Sequence, residues 1–220
     1  MKVECNYIKT IKTARYYSLG FKEFAIKTIW FVIHGYGQLA QEFLNVFTNM
    51  VDDKTMIVAP EALNRFYQKS FSGEVGASWM TKEDRENEIN DYLIFLNNVF
   101  SQITSNLFVP KLKINVVGFS QGTATASRWI LNKKVIADNL ILCGGFLPKD
   151  IDCKIASLLF KSTKLNYFIG TSDNIIEKNS LSNEKKFLQE HKIEANIFNY
   201  SGGHEVNQNL ITNIKENIIS

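Results

Sequence analysis

The segment Gly118-Phe119-Ser120-Gln121-Gly122 sets a serine between two glycines, each two positions away. Gly-x-Ser-x-Gly alone is weak evidence, arising by chance about one time in fourteen in a chain of this length at average Gly and Ser usage. Its neighbours decide its meaning. It follows the β-branched run 112–117 and opens a helical pattern over 121–132, the strand, tight turn and helix of a nucleophile elbow. Such a turn holds the nucleophile in a strained conformation and needs small residues on both flanks. It presents the Ser120 hydroxyl above a sheet and at a helix N-terminus, whose unpaired N–H groups favour developing negative charge. A serine that merely capped the helix would need neither glycine.

A serine near neutral pH needs a base to take its proton and an acid to orient that base. The chain has three histidines. His34 directly follows a predicted strand and precedes the nucleophile. His191 ends an amphipathic helix, where solvent or the helix dipole accounts for it. His204 lies in the Gly-rich turn Ser201-Gly202-Gly203-His204, after a predicted strand and before the last helix, and is the candidate base. For the acid, Asp173 in Gly170-Thr171-Ser172-Asp173 follows another predicted strand. The order Ser120, Asp173, His204 is the one that elbow-bearing folds use. Asp150 and Asp152, after the preceding strand, are rival acids, and Asp173 also reads as a helix cap ahead of 174–178.

The acyl-transfer transition state carries charge on the former carbonyl oxygen, so N–H donors must already point at it. The residue after the nucleophile, Gln121, supplies one. The Gly-rich turn His34-Gly35-Tyr36-Gly37 lets backbone approach closely and makes the Tyr36 N–H the second candidate. His34 is then part of the scaffold and not a base. The same turn also reads as a plain strand-end turn.

These residues must be carried by a framework. Apolar runs over 28–33, 55–59, 112–117, 139–143, 165–169 and 195–199 alternate with helical patterns over 39–50, 81–105, 121–132, 181–191 and 206–219. The alternation predicts an α/β chain with a mostly parallel sheet and helices on both faces. Runs as apolar as Ile29-Trp30-Phe31-Val32-Ile33 fit strands buried on both sides. Segments 3–8 and 12–19 read as an antiparallel lead-in. In the longest helix Ile89, Leu93, Leu96, Val99, Phe100 and Ile103 form an apolar stripe, with Glu83 and Asp84 as an acidic first turn. Residues 61–80 break the alternation, too rich in Gly and Ser for a helix and too long for a plain connection, as functional loops often are. Their aromatic residues Phe66, Tyr67, Phe71 and Trp79 either line an apolar acyl site or pin the loop to the core.

Composition excludes several classes. With 45% hydrophobic and 21% charged residues the 220-residue chain reads as globular, a single domain over 1–220. No Pro/Gly/Ser linker divides it, and Pro60, Pro110 and Pro148 punctuate loops. A net charge of +3, from 25 basic residues spread among 22 acidic ones, leaves no footprint for nucleic acid. No apolar run approaches the roughly 20 residues of a membrane span, and the N-terminus lacks a signal-peptide core. Three cysteines without CxxC spacing predict free thiols, no zinc site and a cytoplasmic location. Oligomeric state has no signal in the sequence.

Across residues 28–214 the sequence resembles the phospholipase/carboxylesterase family of α/β-hydrolases, which includes acyl-protein thioesterases and small bacterial carboxylesterases. The resemblance rests on the 34–37 turn, the elbow with Phe119 and Gln121 in its variable positions, the 170–173 turn and Gly203-His204-Glu205-Val206. It implies an α/β-hydrolase fold without a large separate lid, a Ser120, Asp173 and His204 triad, and an oxyanion hole at Tyr36 and Gln121. Ala77-Ser78-Trp79 resembles the Trp-containing stretch near the family's acyl groove. Gln38 stands where the family often has Asp, and Asn174-Ile175-Ile176 replaces its usual Asp-Pro-Val-Val. The expected reaction is hydrolysis of a carboxylic ester or thioester through an acyl-enzyme, needing no metal or organic cofactor. The expected partner is a small-molecule ester or thioester, with acyl-lipid and acyl-protein among the candidates. An α/β-fold serine peptidase and a non-catalytic binding protein on the same scaffold are the alternatives.

Overall fold

The β-branched, apolar runs of the sequence require partners on both faces and do become the strands of a sheet. The computed structural model describes residues 2–20, 26–105, 107, 111–177 and 179–219, so Pro110 and Lys178 lie outside the described residues. In chain order the elements are β1 (Tyr16–Leu19), β2 (Thr28–Ile33), α1 (Ala40–Asn45), β3 (Thr55–Pro60), β4 (Asn64–Tyr67), β5 (Val75–Ser78) and α2 (Arg85–Thr104). They continue with β6 (Lys113–Phe119), α3 (Gln121–Leu131), β7 (Asn139–Cys143), α4 (Cys153–Leu159), β8 (Lys164–Gly170), α5 (Ser180–Glu190), β9 (Asn196–Tyr200) and α6 (Gln208–Ile214).

Seven strands make one sheet in the order β1-β3-β2-β6-β7-β8-β9, while β4 and β5 form a separate antiparallel hairpin. All neighbours from β3 to β9 are parallel, and only β1 runs antiparallel, on β3. The fold is that of an α/β-hydrolase, with no separate lid domain among the described residues. Alternation along β2 divides the core. Ile29, Phe31 and Ile33 face Tyr92 and Leu96 of α2 and Trp129 of α3, while Trp30 and Val32 face Phe43 of α1 and Leu210 and Ile214 of α6. Both faces are apolar because both are covered. At the N-terminal ends of the strands, Asn139 donates to Asn115 at 2.7 Å and Asn196 to Asn166 at 2.9 Å. These amide pairs, the first of them buried, tie neighbouring strands together.

Register puts the chemistry at the opposite edge. Ile33 pairs with Gly118, Phe119 with Cys143, Cys143 with Phe168 and Gly170 with Tyr200. The loops that begin at His34, Ser120, Gly144, Thr171 and Ser201 therefore leave the sheet side by side, at the C-terminal strand ends where open α/β sheets place their ligands.

Four details differ from the sequence reading. Residues 3–8 form no strand, and Val3 is 95% exposed. They have no sheet neighbour, whereas Tyr16–Leu19 has β3. The loop 61–80 contains the β4–β5 hairpin, and residues 153–159 form α4, started by Asp152. Helix α2 begins at Arg85, with Glu86 and Glu88 in its first turn. Asp84 precedes it in a left-handed conformation at φ 49°, so Glu83 and Asp84 stand outside the helix.

Candidate active site

Ser120 sits between β6 and α3 at φ 52° and ψ −117°, a region a residue with a side chain occupies at a cost of about 1–3 kcal/mol. The surroundings enforce it. The Ser120 N–H donates to Cys143 O at 3.0 Å, and its carbonyl accepts from the Thr123 N–H at 3.0 Å and hydroxyl at 2.7 Å. The two glycines permit it, since a Cβ on Gly118 would lie 2.4 Å from Gly122 O and one on Gly122 2.2 Å from Ile33 O. The Ser120 side chain makes no capping bond to α3, so its hydroxyl is left for another partner.

That partner is His204. Its Nε2 lies 2.9 Å from Ser120 Oγ, and its Nδ1 lies 2.8 Å from Asp173 Oδ2. A carboxylate only accepts, so Nδ1 carries the proton, and Nε2 accepts from the serine hydroxyl. The loops that hold acid and imidazole are stitched together. Thr171 N–H donates to Tyr200 O and Ser172 N–H to Gly202 O, each at 3.0 Å. Asp173 Oδ1 accepts from the N–H groups of Ile175 at 2.9 Å and Ile176 at 3.2 Å. The side chain of Asp173 is 1% exposed and that of His204 20%. The Asn174-Ile175-Ile176 departure thus leaves both backbone donors to the carboxylate in place.

The rival acids are engaged elsewhere. Burial pushes the Asp150 carboxyl up, but hydrogen bonds from Arg128 at 2.9 Å and Arg85 at 2.7 Å outweigh it and hold its pKa at about 2. Asp152 caps α4 through the N–H groups of Lys154 and Ile155. Among the histidines, His191 packs against Phe187 at the end of α5. His34 is wholly buried, with Nδ1 donating to Gly35 O at 2.7 Å and Nε2 accepting from the Ala62 N–H at 3.0 Å. Burial lowers its pKa to about 4.

Gln121 is the first residue of α3, so its N–H has no acceptor within the helix. Tyr36 lies at the apex of a turn pinned on both sides. Gly37 N–H donates to Ala77 O at 2.9 Å and Ala77 N–H to Gln38 O at 3.3 Å, while Gln38 Oε1 accepts from the Gly35 N–H at 2.7 Å. The hairpin is packed tightly on this turn: a Cβ on Gly76 would lie 2.5 Å from Gly37 O. Two side-chain contributions come from the structure and not from the sequence reading. One is the Gln38 side chain. The other is that of Gln121, whose Oε1 accepts from the Trp79 N–H at 3.0 Å and whose Nε2 donates to Met80 O at 2.8 Å.

The four aromatics of 61–80 part company. Trp79 is 1% exposed, donates from its indole to His34 O at 2.9 Å and packs on Tyr92, so it pins the loop to the core. Phe66 is half-buried on β4, with its ring 5.1 Å from that of Tyr36. Tyr67 is exposed, and Phe71, at the tip of the hairpin, is 99% exposed. A groove of about 260 Å³ lined by Ile89, Leu93, Leu131, Ile151 and Ile155 lies elsewhere, and Ser120, Asp173 and His204 are not among its lining. Among the described residues no group of three or more His, Cys, Asp or Glu could hold a metal ion, and no helix is long and apolar enough to cross a membrane.

Known proteins share this fold. Comparison of the sequence with curated proteins gives no significant match. Among solved structures, acyl-protein thioesterase 2 of Zea mays superposes with a TM-score of 0.69 at 17% identity, covering 93% of this chain and 97% of its own. The carboxylesterase of Bacillus cereus gives a TM-score of 0.66 at 14% identity over 92% of both chains. A phospholipase/carboxylesterase from Dyadobacter fermentans gives 0.61 at 15% identity, covering 94% of this chain and 97% of its own. At these identities the likeness speaks for the shared fold. The profile of the phospholipase/carboxylesterase family, however, matches residues 23–219, and the chain belongs to that family.

Proposed function

We propose that this protein is a serine hydrolase of carboxylic esters or thioesters, working through an acyl-enzyme on a single domain spanning 1–220. The observation that carries the proposal is the continuous path from Asp173 through His204 to Ser120, with contacts of 2.8 and 2.9 Å. In the proposed reaction Ser120 Oγ attacks the carbonyl carbon as His204 Nε2 takes its proton. Asp173 holds the imidazole in the required tautomer and stabilises the imidazolium. The oxyanion is received by the N–H groups of Gln121 and Tyr36. His204 then gives its proton to the departing alcohol or thiol, and a water activated by the same imidazole releases the acid.

The aromatic pair Tyr36 and Phe66 stands beside the second donor, and Phe66 with Tyr67 is our candidate for one wall of the acyl site. The free cysteines Cys5, Cys143 and Cys153 support a reducing, cytoplasmic setting.

The decisive experiment exposes wild type and Ser120→Ala to a fluorophosphonate probe. It then presents p-nitrophenyl esters of increasing chain length, a thioester and a peptide. Labelling and ester cleavage that both vanish in Ser120→Ala are expected. A wild type that neither takes the label nor cleaves any ester overturns the proposal, and cleavage of the peptide alone replaces it with a peptidase. Turnover confined to the shortest esters removes the long acyl wall.

A further inference from the structure

Tyr200 ends β9 four residues before His204, is 2% exposed, and makes a pair of contacts that the proposed chemistry has not used. Its hydroxyl lies 3.0 Å from Gly203 O and 2.9 Å from Glu205 O. Carbonyls only accept, so the single phenolic proton is shared between them. The carbonyl on each side of His204 is therefore drawn to one fixed point inside the molecule. Burial raises the pKa of this phenol above its ordinary value of 10, so it keeps its proton near neutral pH.

The ring contributes as well as the hydroxyl. A Cβ on Gly202 would meet Tyr200 Cε2 at 2.8 Å, so the loop backbone lies directly on the phenol. From the other side the loop is held by Ser172, whose N–H and hydroxyl donate to Gly202 O at 3.0 and 3.2 Å. Asn207 caps α6 through the Leu210 N–H and donates to Glu205 Oε1. These contacts hold the two ends of the turn. Among the described residues, the Tyr200 hydroxyl is the side-chain group that engages both carbonyls flanking the imidazole-bearing residue.

We propose that Tyr200 is a positioning residue for His204: by holding the carbonyls of Gly203 and Glu205, its hydroxyl sets the imidazole between Asp173 and Ser120. The inference rests on the serine-hydrolase reading. Small displacements matter here because proton transfer requires hydrogen-bond reach, and a misplacement near 1 Å can cost about 100-fold in rate.

The test compares wild type, Tyr200→Phe and a variant carrying 4-aminophenylalanine at position 200, whose two N–H donors can serve the two carbonyls. On an ester that wild type cleaves, Tyr200→Phe is expected to lower kcat by about 10- to 100-fold with KM changed less than about twofold. The amino variant restores most of it. The loss disappears in a His204→Ala background, because a residue that acts through His204 has nothing left to act on. In proton NMR, the downfield resonance of the Nδ1 proton between His204 and Asp173 broadens or vanishes in Tyr200→Phe and returns in the amino variant.

An unchanged kcat with an unchanged resonance overturns the inference. So does an equal loss in both backgrounds, which marks a merely structural role. If Tyr200→Phe does not fold, 4-fluorophenylalanine fills the hydroxyl's space without its proton and takes its place. If wild type cleaves no ester, the functional reading falls. The resonance needs no turnover and still decides whether Tyr200 orients His204.

Discussion

His34 and His204 both follow strands, β2 and β9, at the same edge of one sheet, yet their surroundings are opposite. His34 is sealed, with each ring nitrogen bonded to backbone and its carbonyl held by Trp79. His204 is bonded to side chains on both nitrogens, a carboxylate on one and a hydroxyl on the other, and is open to solvent over a fifth of its side chain. A histidine whose two nitrogens are occupied by the main chain, in a site that lowers its pKa to about 4, has no lone pair to offer and no route for a proton. The difference teaches that the bonding of each nitrogen, and not nearness to the elbow, favours His204 over His34 as the proposed base.

The contrast breaks most sharply by mutation. His204→Ala is expected to lose roughly 10⁴-fold or more in ester hydrolysis and to abolish fluorophosphonate labelling. His34→Asn keeps the label, at a reduced rate. Labelling lost equally in both variants would erase the distinction. Combining Ser120→Ala with His204→Ala should cost little more than either alone, since the two act as a unit.

The acid comes next. Asp173→Asn removes the acceptor that fixes the tautomer and is expected to cost about 10³- to 10⁴-fold in kcat. Asp150→Asn and Asp152→Ala stay within about threefold and show up instead in thermal melts, through the weakened Arg128 and Arg85 bonds and the lost α4 cap. An unchanged kcat for Asp173→Asn would reject that assignment.

A smaller effect is expected at the turn after His34. Gln38→Leu strands the Gly35 N–H and should lower kcat by about tenfold, whereas Gln38→Glu keeps an acceptor and most of the rate. If the two substitutions behave alike, the hydrogen bond to Gly35 does not shape the oxyanion turn.

The mildest test follows stability as pH falls. His34 has an ordinary value of 6.5 and a folded value of about 4, so the unfolded chain takes up the proton first. The contribution of neutral His34 is fully present above pH 6.5 and is lost as pH falls toward 4, on the order of 3 kcal/mol in all. Denaturant midpoints should decline across that window and decline less in His34→Asn. Equal slopes would show that other groups carry the acid limb.

Much of this arrangement was legible in the residues. The strands 28–33 and 139–143 were bounded as they are found, because strands buried on both faces leave unbroken apolar runs. Ser120 was marked by two glycines whose absent side chains the turn needs, and His204 by elimination among three histidines. The hairpin β4–β5 was not legible. Its strands are short and lie off the main sheet, and Gly and Ser residues hide their alternation. Helix α4 escaped for a related reason: seven residues carry barely two helical turns, too few for a period to show.

The sequence by itself determined the parallel α/β framework, the elbow and the chain order of Ser120, Asp173 and His204, since periodicity and glycine placement are local properties of the chain. The tertiary structure alone decided what each of these side chains touches. It gave Asp150 to two arginines and turned Trp79 inward against His34. It also brought Gln38, Gln121 and Tyr200 to bear on the turns around Ser120 and His204. Those pairings join residues from 3 to 65 positions apart, and the long-range ones come into being only when the fold brings separate segments together.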